Sequence, residues 1–127
     1  MDDPYDEGMS VRRAVLGDPH VDGAVGHTTP FTQDFQALIT RYAWGSVWTR
    51  PGLGRRERSI STLTALIALG HWEEFALHVR AARANGLSTQ EIGEVLLHSA
   101  VYCGVPAANH AFSVAQDVLT SMEDRRE

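Results

Sequence analysis

The chain has 127 residues, a formal net charge of −5 and 43% hydrophobic residues, which predicts one globular domain with a modest core. All eleven basic residues are arginine, so enzymes that form an imine through a lysine amine are excluded. The single cysteine excludes an internal disulfide, a C-x-x-C redox pair and a cysteine-rich zinc site. The negative charge argues against general nucleic-acid binding.

The N-terminal segment MDDPYDEGMS is acidic and lacks the positive and apolar regions of a secretory signal. No apolar run approaches the length of a membrane span. We therefore expect a cytoplasmic protein with no membrane contact.

Two helices separated by a loop are predicted in the first third of the chain. Residues 4–16 have helical spacing, with Gly17 as the expected stop. Residues 17–30 are rich in Gly, Pro, Asp and Thr and are predicted to form a loop. An apolar stripe at i, i+4, i+7 and i+11 predicts the next helix, which Gly45 is expected to end. The stripe consists of Phe31, Phe35, Leu38 and Tyr42.

A connector over 46–54 is expected to precede the remaining helices. The segment RRERSISTLTALIAL, residues 55–69, predicts a helix with Gly70 as its C-cap. The overlapping stretch LIALGHWEEFALHVRAARANG, residues 66–86, is itself predicted to be one amphipathic helix ending at Gly86.

Two more helices are predicted towards the C-terminus. The segment LSTQE is typical of a capping box, with Ser88 as the N-cap and Glu91 at the third helical position. The segment CGVPAAN is expected to break that helix, and Pro106 suits the first turn of the next one.

These elements predict an all-α fold of about six helices, since no segment alternates with a period of two. We expect one domain over 1–127, with an N-terminal helix and loop arm over 1–30 and a helical core over 31–122. A chain this small is expected to complete its core by forming an oligomer.

The first candidate site is a cluster on the helix that ends at Gly86. His71, Glu74 and His78 are separated by three and four residues, so they share one helix face beside the apolar stripe. Such a cluster could bind a metal, transfer a proton or be a solvated helix edge. The spacing lacks the two-histidine i, i+4 pair of zinc hydrolases, which disfavours a metal. Glu74 can orient His78 and raise its basicity.

Other candidates combine arginine with aromatic side chains. Arg41 and Arg50 lie close in sequence to Trp44 and Trp48, and these arginines could hold a carboxylate with two hydrogen bonds. The basic segment RRERS opens a helix, where the positive end of the helix dipole disfavours arginine. We therefore expect a partner for Arg55 or Arg58. Structural roles in a core or a solvated surface remain the competing interpretation of all these residues.

Three segments together resemble the carboxymuconolactone decarboxylase family: VRRAVLGDPHVD, DFQALITRYAWGSVWTRPGL and the long stretch from LTALIALGHWEEF to EVLLHSAVYCGVPAANHAF. The resemblance covers about residues 5 to 120. The related alkyl hydroperoxidase D-like reductases carry C-x-x-C and then a histidine on the equivalent helix. Here His71 and Glu74 stand at the cysteine positions, and His78 matches the histidine.

The resemblance implies an all-α homohexamer built as a trimer of dimers, with no metal and no cofactor. It implies decarboxylation of 4-carboxymuconolactone to 3-oxoadipate enol-lactone in aromatic catabolism, by the β-ketoadipate pathway. The lactone ring accepts the electron pair that carbon dioxide leaves behind, so the protein must supply a proton and hold the remaining carboxylate.

On this basis we assign His78 as the general acid, with Glu74 orienting it or relaying the proton. The anion-clamp candidates are Arg41, Arg50 and Arg58. Trp44 and Trp48 are expected to form apolar walls that exclude water. Tyr102 and Cys103 are further lining candidates. The alternatives are a peroxidase or disulfide reductase of the related family and a non-catalytic binding protein on the same scaffold.

Overall fold

The computed structural model describes residues 3–124, which form seven α-helices and one π-helical segment and contain no strand. This confirms the predicted all-α class. Residues 1, 2 and 125–127, which the predicted domain includes, lie outside the described residues. The elements are α1 Pro4–Leu16, α2 Asp18–Gly26, α3 Gln33–Ile39, the π-helix Thr40–Val47, α4 Arg55–Leu69, α5 Trp72–Ala84, α6 Thr89–Cys103 and α7 Val105–Asp124.

Several predicted helix ends are confirmed by their capping contacts. Gly17 follows α1 and donates its backbone N–H to the carbonyl of Arg13. Ser88 and Glu91 form both hydrogen bonds of the predicted capping box at the start of α6. Gly104 ends α6 with φ of 95°, a left-handed conformation that glycine adopts without steric cost.

The predicted loop over 17–30 is wrong, because residues 18–26 form α2. Pro19 occupies the first turn of this helix, where its missing N–H costs no hydrogen bond. Val21 is fully buried and anchors the helix. The Gly and Pro content that indicated a loop is therefore outweighed by one buried apolar contact and by a favourable proline position.

The prediction that Gly45 ends a regular helix is also wrong. The chain changes to a π-helix at Thr40 and continues to Val47, with the backbone N–H of Trp48 donating to the carbonyl of Ala43. Gly45 serves close packing instead: a Cβ there would lie 2.5 Å from the carbonyl oxygen of Pro4. Its missing side chain lets two backbones meet.

The stretch 66–86 is not one helix, because Gly70 separates α4 from α5. Gly70 has φ of 71°, and its backbone N–H donates to the carbonyl of Ile67. His71 is the N-cap of α5, with non-helical backbone angles. It therefore lies outside the helix that carries Glu74 and His78, and the three residues do not form one helical row.

Contacts divide the chain into two compact units, one ending at Arg55 and the other beginning at Arg56. The prediction of one domain with an arm over 1–30 stays a prediction. No described helix has the combination of length and apolar character that crossing a membrane requires.

In the N-terminal unit, α1 packs against the π-helix. Four residues at i, i+3, i+4 and i+7 form the buried face of α1: Gly8, Val11, Arg12 and Val15. A Cβ at Gly8 would overlap the carbonyl oxygen of Thr40 and lie 2.8 Å from the backbone nitrogen of Gly45. The two segments therefore touch backbone to backbone at this glycine pair.

The C-terminal unit has the larger apolar core. Helices α5 and α6 both contact α7, and the core also includes Leu63 and Ile67 of α4. The predicted apolar face of α5 is confirmed, since Phe75, Val79 and Ala82 are fully buried.

The stripe that predicted the helix after residue 30 is not a buried face of this chain. Phe31 is 95% exposed, and the other three members are each more than half exposed. The period of the stripe correctly indicated a helix, but its apolar character does not reflect burial within the chain.

We predict that Gly8→Ala destabilises the N-terminal unit by about 1–3 kcal/mol, because the added methyl group forces α1 and the π-helix apart. The free energy of unfolding in urea measures this effect. Gly23→Ala is the matched control, since a Cβ at this glycine of α2 meets nothing within 4 Å. It should be neutral or stabilising by up to about 1 kcal/mol. Equal losses in the two variants would contradict the proposed backbone contact.

Candidate active site

Helix α5 carries the two residues assigned to proton transfer. Glu74 and His78 lie four residues apart on it, which is one helical turn. Glu74 is exposed, whereas His78 is half-buried and its Nδ1 atom is shielded from solvent. The ring therefore presents one protected nitrogen and lies at the border between core and surface, beside the buried Phe75 and Val79.

His71 has a different environment from His78. It is exposed and precedes α5 as its N-cap, without a side-chain capping hydrogen bond. Only two members of the predicted cluster thus remain on the helix. Among residues 3–124, no group of three or more His, Cys, Asp or Glu side chains is arranged to hold a metal ion.

The two tryptophans come together in the N-terminal unit. The ring centroids of Trp44 and Trp48 are 5.1 Å apart, with an angle of 32° between the ring planes. Trp44 is buried and Trp48 is half-buried. They form a tilted aromatic pair at the end of the π-helix.

Arg41 already holds a carboxylate within the same unit. Its Nε donates to Oδ1 of Asp3 over 3.1 Å, and its Nη2 donates to Oδ2 over 3.4 Å. The guanidinium also lies 5.3 Å from the ring centroid of Tyr5. Hydrogen bonding to Asp3 raises the pKa of Arg41, and the same bond lowers the pKa of Asp3. The geometry is that of a carboxylate clamp, and its occupant in this structure is Asp3.

The other two clamp candidates differ in exposure. Arg50 is exposed, whereas Arg58 on α4 is half-buried and its Nε is shielded from solvent. Within the RRERS segment, Arg56 forms an ion pair with Glu91 of the α6 capping box. An acidic partner therefore offsets part of the positive charge that opens α4.

The two remaining lining candidates are adjacent at the end of α6. Tyr102 is 75% exposed, and its ring centroid lies 5.1 Å from that of His98. Cys103 is a half-buried free thiol.

Sequence reasoning missed a buried cation, Arg12, which is only 5% exposed. The signal was present, because Arg12 occupies the i+4 position of the apolar stripe that starts at Gly8. Its guanidinium donates to Oγ1 of Thr40 and to Oε1 of Gln36, each over 3.2 Å.

The model of the carboxymuconolactone decarboxylase family matches residues 33–117. The chain belongs to this family. The match spans the π-helix, α4, α5 and α6, and it therefore includes every residue that we assigned to the candidate site.

Characterised relatives of this family member act on two different acids. The chain is 47% identical over 123 residues to a nitrosuccinic acid decarboxylase of Metarhizium robertsii, covering 97% of this chain and 86% of the relative. It is 43% identical over 118 residues to a 4-carboxymuconolactone decarboxylase of Acinetobacter baylyi, covering 93% and 88%. A 4-carboxymuconolactone decarboxylase of Pseudomonas putida is 56% identical over 41 residues, which cover 32% of this chain and 85% of the relative.

Both names describe carboxy-lyases, and the chain is an enzyme of this class. The finding disfavours the thiol-dependent alternative, which would in addition require a second redox cysteine that this sequence lacks.

Proposed function

We propose that the enzyme decarboxylates 4-carboxymuconolactone to 3-oxoadipate enol-lactone in the β-ketoadipate pathway. The observation that carries the proposal is the 43% identity over 93% of the chain to the Acinetobacter baylyi enzyme of that name. The half-buried His78 on α5 and the half-buried Arg58 on α4 supply group types that this reaction needs.

The electron flow of the reaction defines what the protein must do. The bond between the ring carbon and the leaving carboxylate breaks, and its electron pair passes through the ring double bond into the lactone carbonyl. A proton added to carbon then returns the electrons to the ring and completes the product. The protein must therefore stabilise the developing oxyanion, worth roughly 3–4 kcal/mol per donor, and deliver one proton.

We assign the proton delivery to His78. A half-buried imidazole can be kept in one orientation by its surroundings and still reach a bound ligand from the exposed side. We assign Glu74, one turn earlier on α5, to orient the ring or to return a proton to it from solvent, since residues four apart on a helix are neighbours. Both assignments rest on the helical register of α5 and on the different exposure of the two side chains.

Among the three arginines, we favour Arg58 as the group that holds the carboxylate that does not leave. It belongs to the same compact unit as His78, whereas Arg41 and Arg50 belong to the unit that ends at Arg55. The partial burial of Arg58 strengthens an ion pair relative to an exposed site. Trp44 and Trp48 remain our candidates for apolar walls, and Tyr102 and Cys103 for further lining residues.

Nitrosuccinate is the second candidate substrate, because a decarboxylase of that acid is 47% identical over 97% of this chain. The two substrates have the same kinds of functional group. Each has two carboxylates and an electron-accepting group, which is the lactone in one and the nitro group in the other. A proton donor and a cationic clamp serve both reactions, so the shape of the binding site must select between them.

We further propose that the chain assembles as a cytoplasmic homohexamer, a trimer of dimers. The exposed stripe on α3 and its flanks supports an assembly, because an exposed apolar patch commonly marks a protein contact. Phe31, Phe35, Leu38 and Tyr42 together present four large apolar side chains to solvent.

The substrate assignment predicts that purified protein consumes 4-carboxymuconolactone with release of one carbon dioxide per lactone, without added cofactor. Loss of lactone absorbance and trapped carbon dioxide measure the reaction. Nitrosuccinate, assayed in parallel, should have at least about a tenfold lower kcat/KM, since selection of that size needs only about 1.4 kcal/mol. A higher kcat/KM for nitrosuccinate would transfer the assignment to the second candidate.

The acid assignment predicts that His78→Ala lowers kcat by at least about tenfold, because general acid catalysis typically contributes 10²–10⁴-fold. Steady-state kinetics on the preferred substrate measure this loss, with circular dichroism confirming an intact fold. His71→Ala is the matched control and should change kcat by less than about twofold, because His71 is exposed and outside α5. Full activity in His78→Ala would refute the role of His78 without touching the substrate assignment.

The proposed assembly predicts that Phe35→Asp lowers the mass measured by light scattering, because a buried charge would weaken the contact. Asp34→Ala is the control, as a neighbouring exposed polar position of α3. A monomeric mass for the unmodified chain would contradict the homohexamer.

A further inference from the structure

Within residues 3–124, the buried charge of Arg12 has no anionic partner. Both of its hydrogen bonds go to neutral acceptors, the hydroxyl of Thr40 and the amide oxygen of Gln36. Its Nε is shielded from solvent and donates to no acceptor in the described part of the chain. A buried cation is normally paired, because its loss of hydration costs several kcal/mol.

The next residue shows the opposite arrangement. Arg13 is 34% exposed, yet it contacts two carboxylates, Asp18 at 3.0 Å and Asp22 at 2.8 Å. Burial is the leading cause that lowers the pKa of Arg12, whereas hydrogen bonds to acids raise the pKa of Arg13. In the described part of the N-terminal unit, acids therefore surround the partly exposed Arg13, which water can also stabilise. Among the same residues, the buried Arg12 has no acid beside it.

Arg12 lines a cavity of about 290 Å³ in the N-terminal unit. The wall contains no Asp or Glu, and its polar members are hydroxyl and amide groups that can donate hydrogen bonds. The lining residues are Tyr5, Met9, Arg12, Val25, Thr28, Gln33, Gln36, Ala37 and Thr40. The volume is close to the lower end of small-ligand sites, which is about 300 Å³, and therefore suits a small anion.

We propose that this cavity binds a small-molecule carboxylate, with Arg12 as its cationic ligand. The guanidinium offers a shielded Nε together with Nη groups whose present acceptors are neutral, and a carboxylate would supply the missing charge. Thr28 and Gln33 add neutral polar groups, so the site favours an anion over a cation. The inference concerns equilibrium binding and does not depend on the decarboxylation proposed above.

The test uses succinate, which does not react, and isothermal titration calorimetry in a buffer free of carboxylates. Succinate should bind, and Arg12→Gln should weaken its binding at least tenfold. Arg13→Gln is the matched control and should change the affinity less than twofold. Succinamide, which has the same shape without the charge, should bind at least tenfold more weakly than succinate.

A second variant keeps the test decisive if Arg12→Gln does not fold. Ala37→Leu fills the cavity from α3 while leaving the arginine in place, so it should also weaken succinate binding at least tenfold and retain its helical circular dichroism. Absence of binding to the unmodified protein, or an affinity unchanged by a folded cavity variant, would overturn the proposal. If no succinate binds and Arg12→Gln instead lowers the mass of the assembly, a carboxylate of another copy fills the cavity, and the small-molecule site is refuted.

Discussion

The close approach of Gly8 and Gly45 is the constraint on which the N-terminal unit depends. Because neither residue has a Cβ, the backbone of α1 reaches the backbone of the π-helix. One helical turn after Gly8, the same face of α1 carries Arg12 to the side chains of Thr40 and Gln36. A wider separation would break those hydrogen bonds and open the cavity beside them. The close packing at Gly8 and Gly45 thus determines the position of the buried guanidinium of Arg12.

The π-helix contains Arg41 and Trp44, and Trp48 directly follows it. π-helices are rare and are often found at functional sites. The hydrogen bonds of the π-helix between Thr40 and Val47 join residues five apart, so its turns are wider than those of an α-helix. Within this region Arg41 reaches back to Asp3 at the start of α1, and Trp44 pairs with Trp48. The regular helix expected from the sequence would have placed these groups on a different register relative to α1.

Features governed by local chemistry could be predicted from the sequence, and those governed by tertiary contacts could not. The capping box at Ser88 and Glu91 and the stop at Gly17 depend on neighbouring residues, and both were predicted. Burial of Val21 in α2 and the glycine contact between the π-helix and α1 are tertiary features, and neither element was predicted. Within the candidate site, the placement of Glu74 and His78 one turn apart on a helix followed from the sequence, whereas the pairing of Trp44 with Trp48 and the contact of Arg41 with Asp3, 38 residues away, did not.

The separation of His71 from His78 clarifies which side chain can take part in chemistry. A proton donor must be fixed in direction and must also be reachable, and these needs favour a half-buried ring over a fully exposed one. Of the two rings, only His78 is half-buried, and it precedes the fully buried Val79 on α5. Since the lactone or nitro group would itself accept the electron pair, the protein needs only a few such groups. Under the proposed mechanism, one imidazole at a helix edge and one cation would serve the decarboxylation of either acid named for the two relatives.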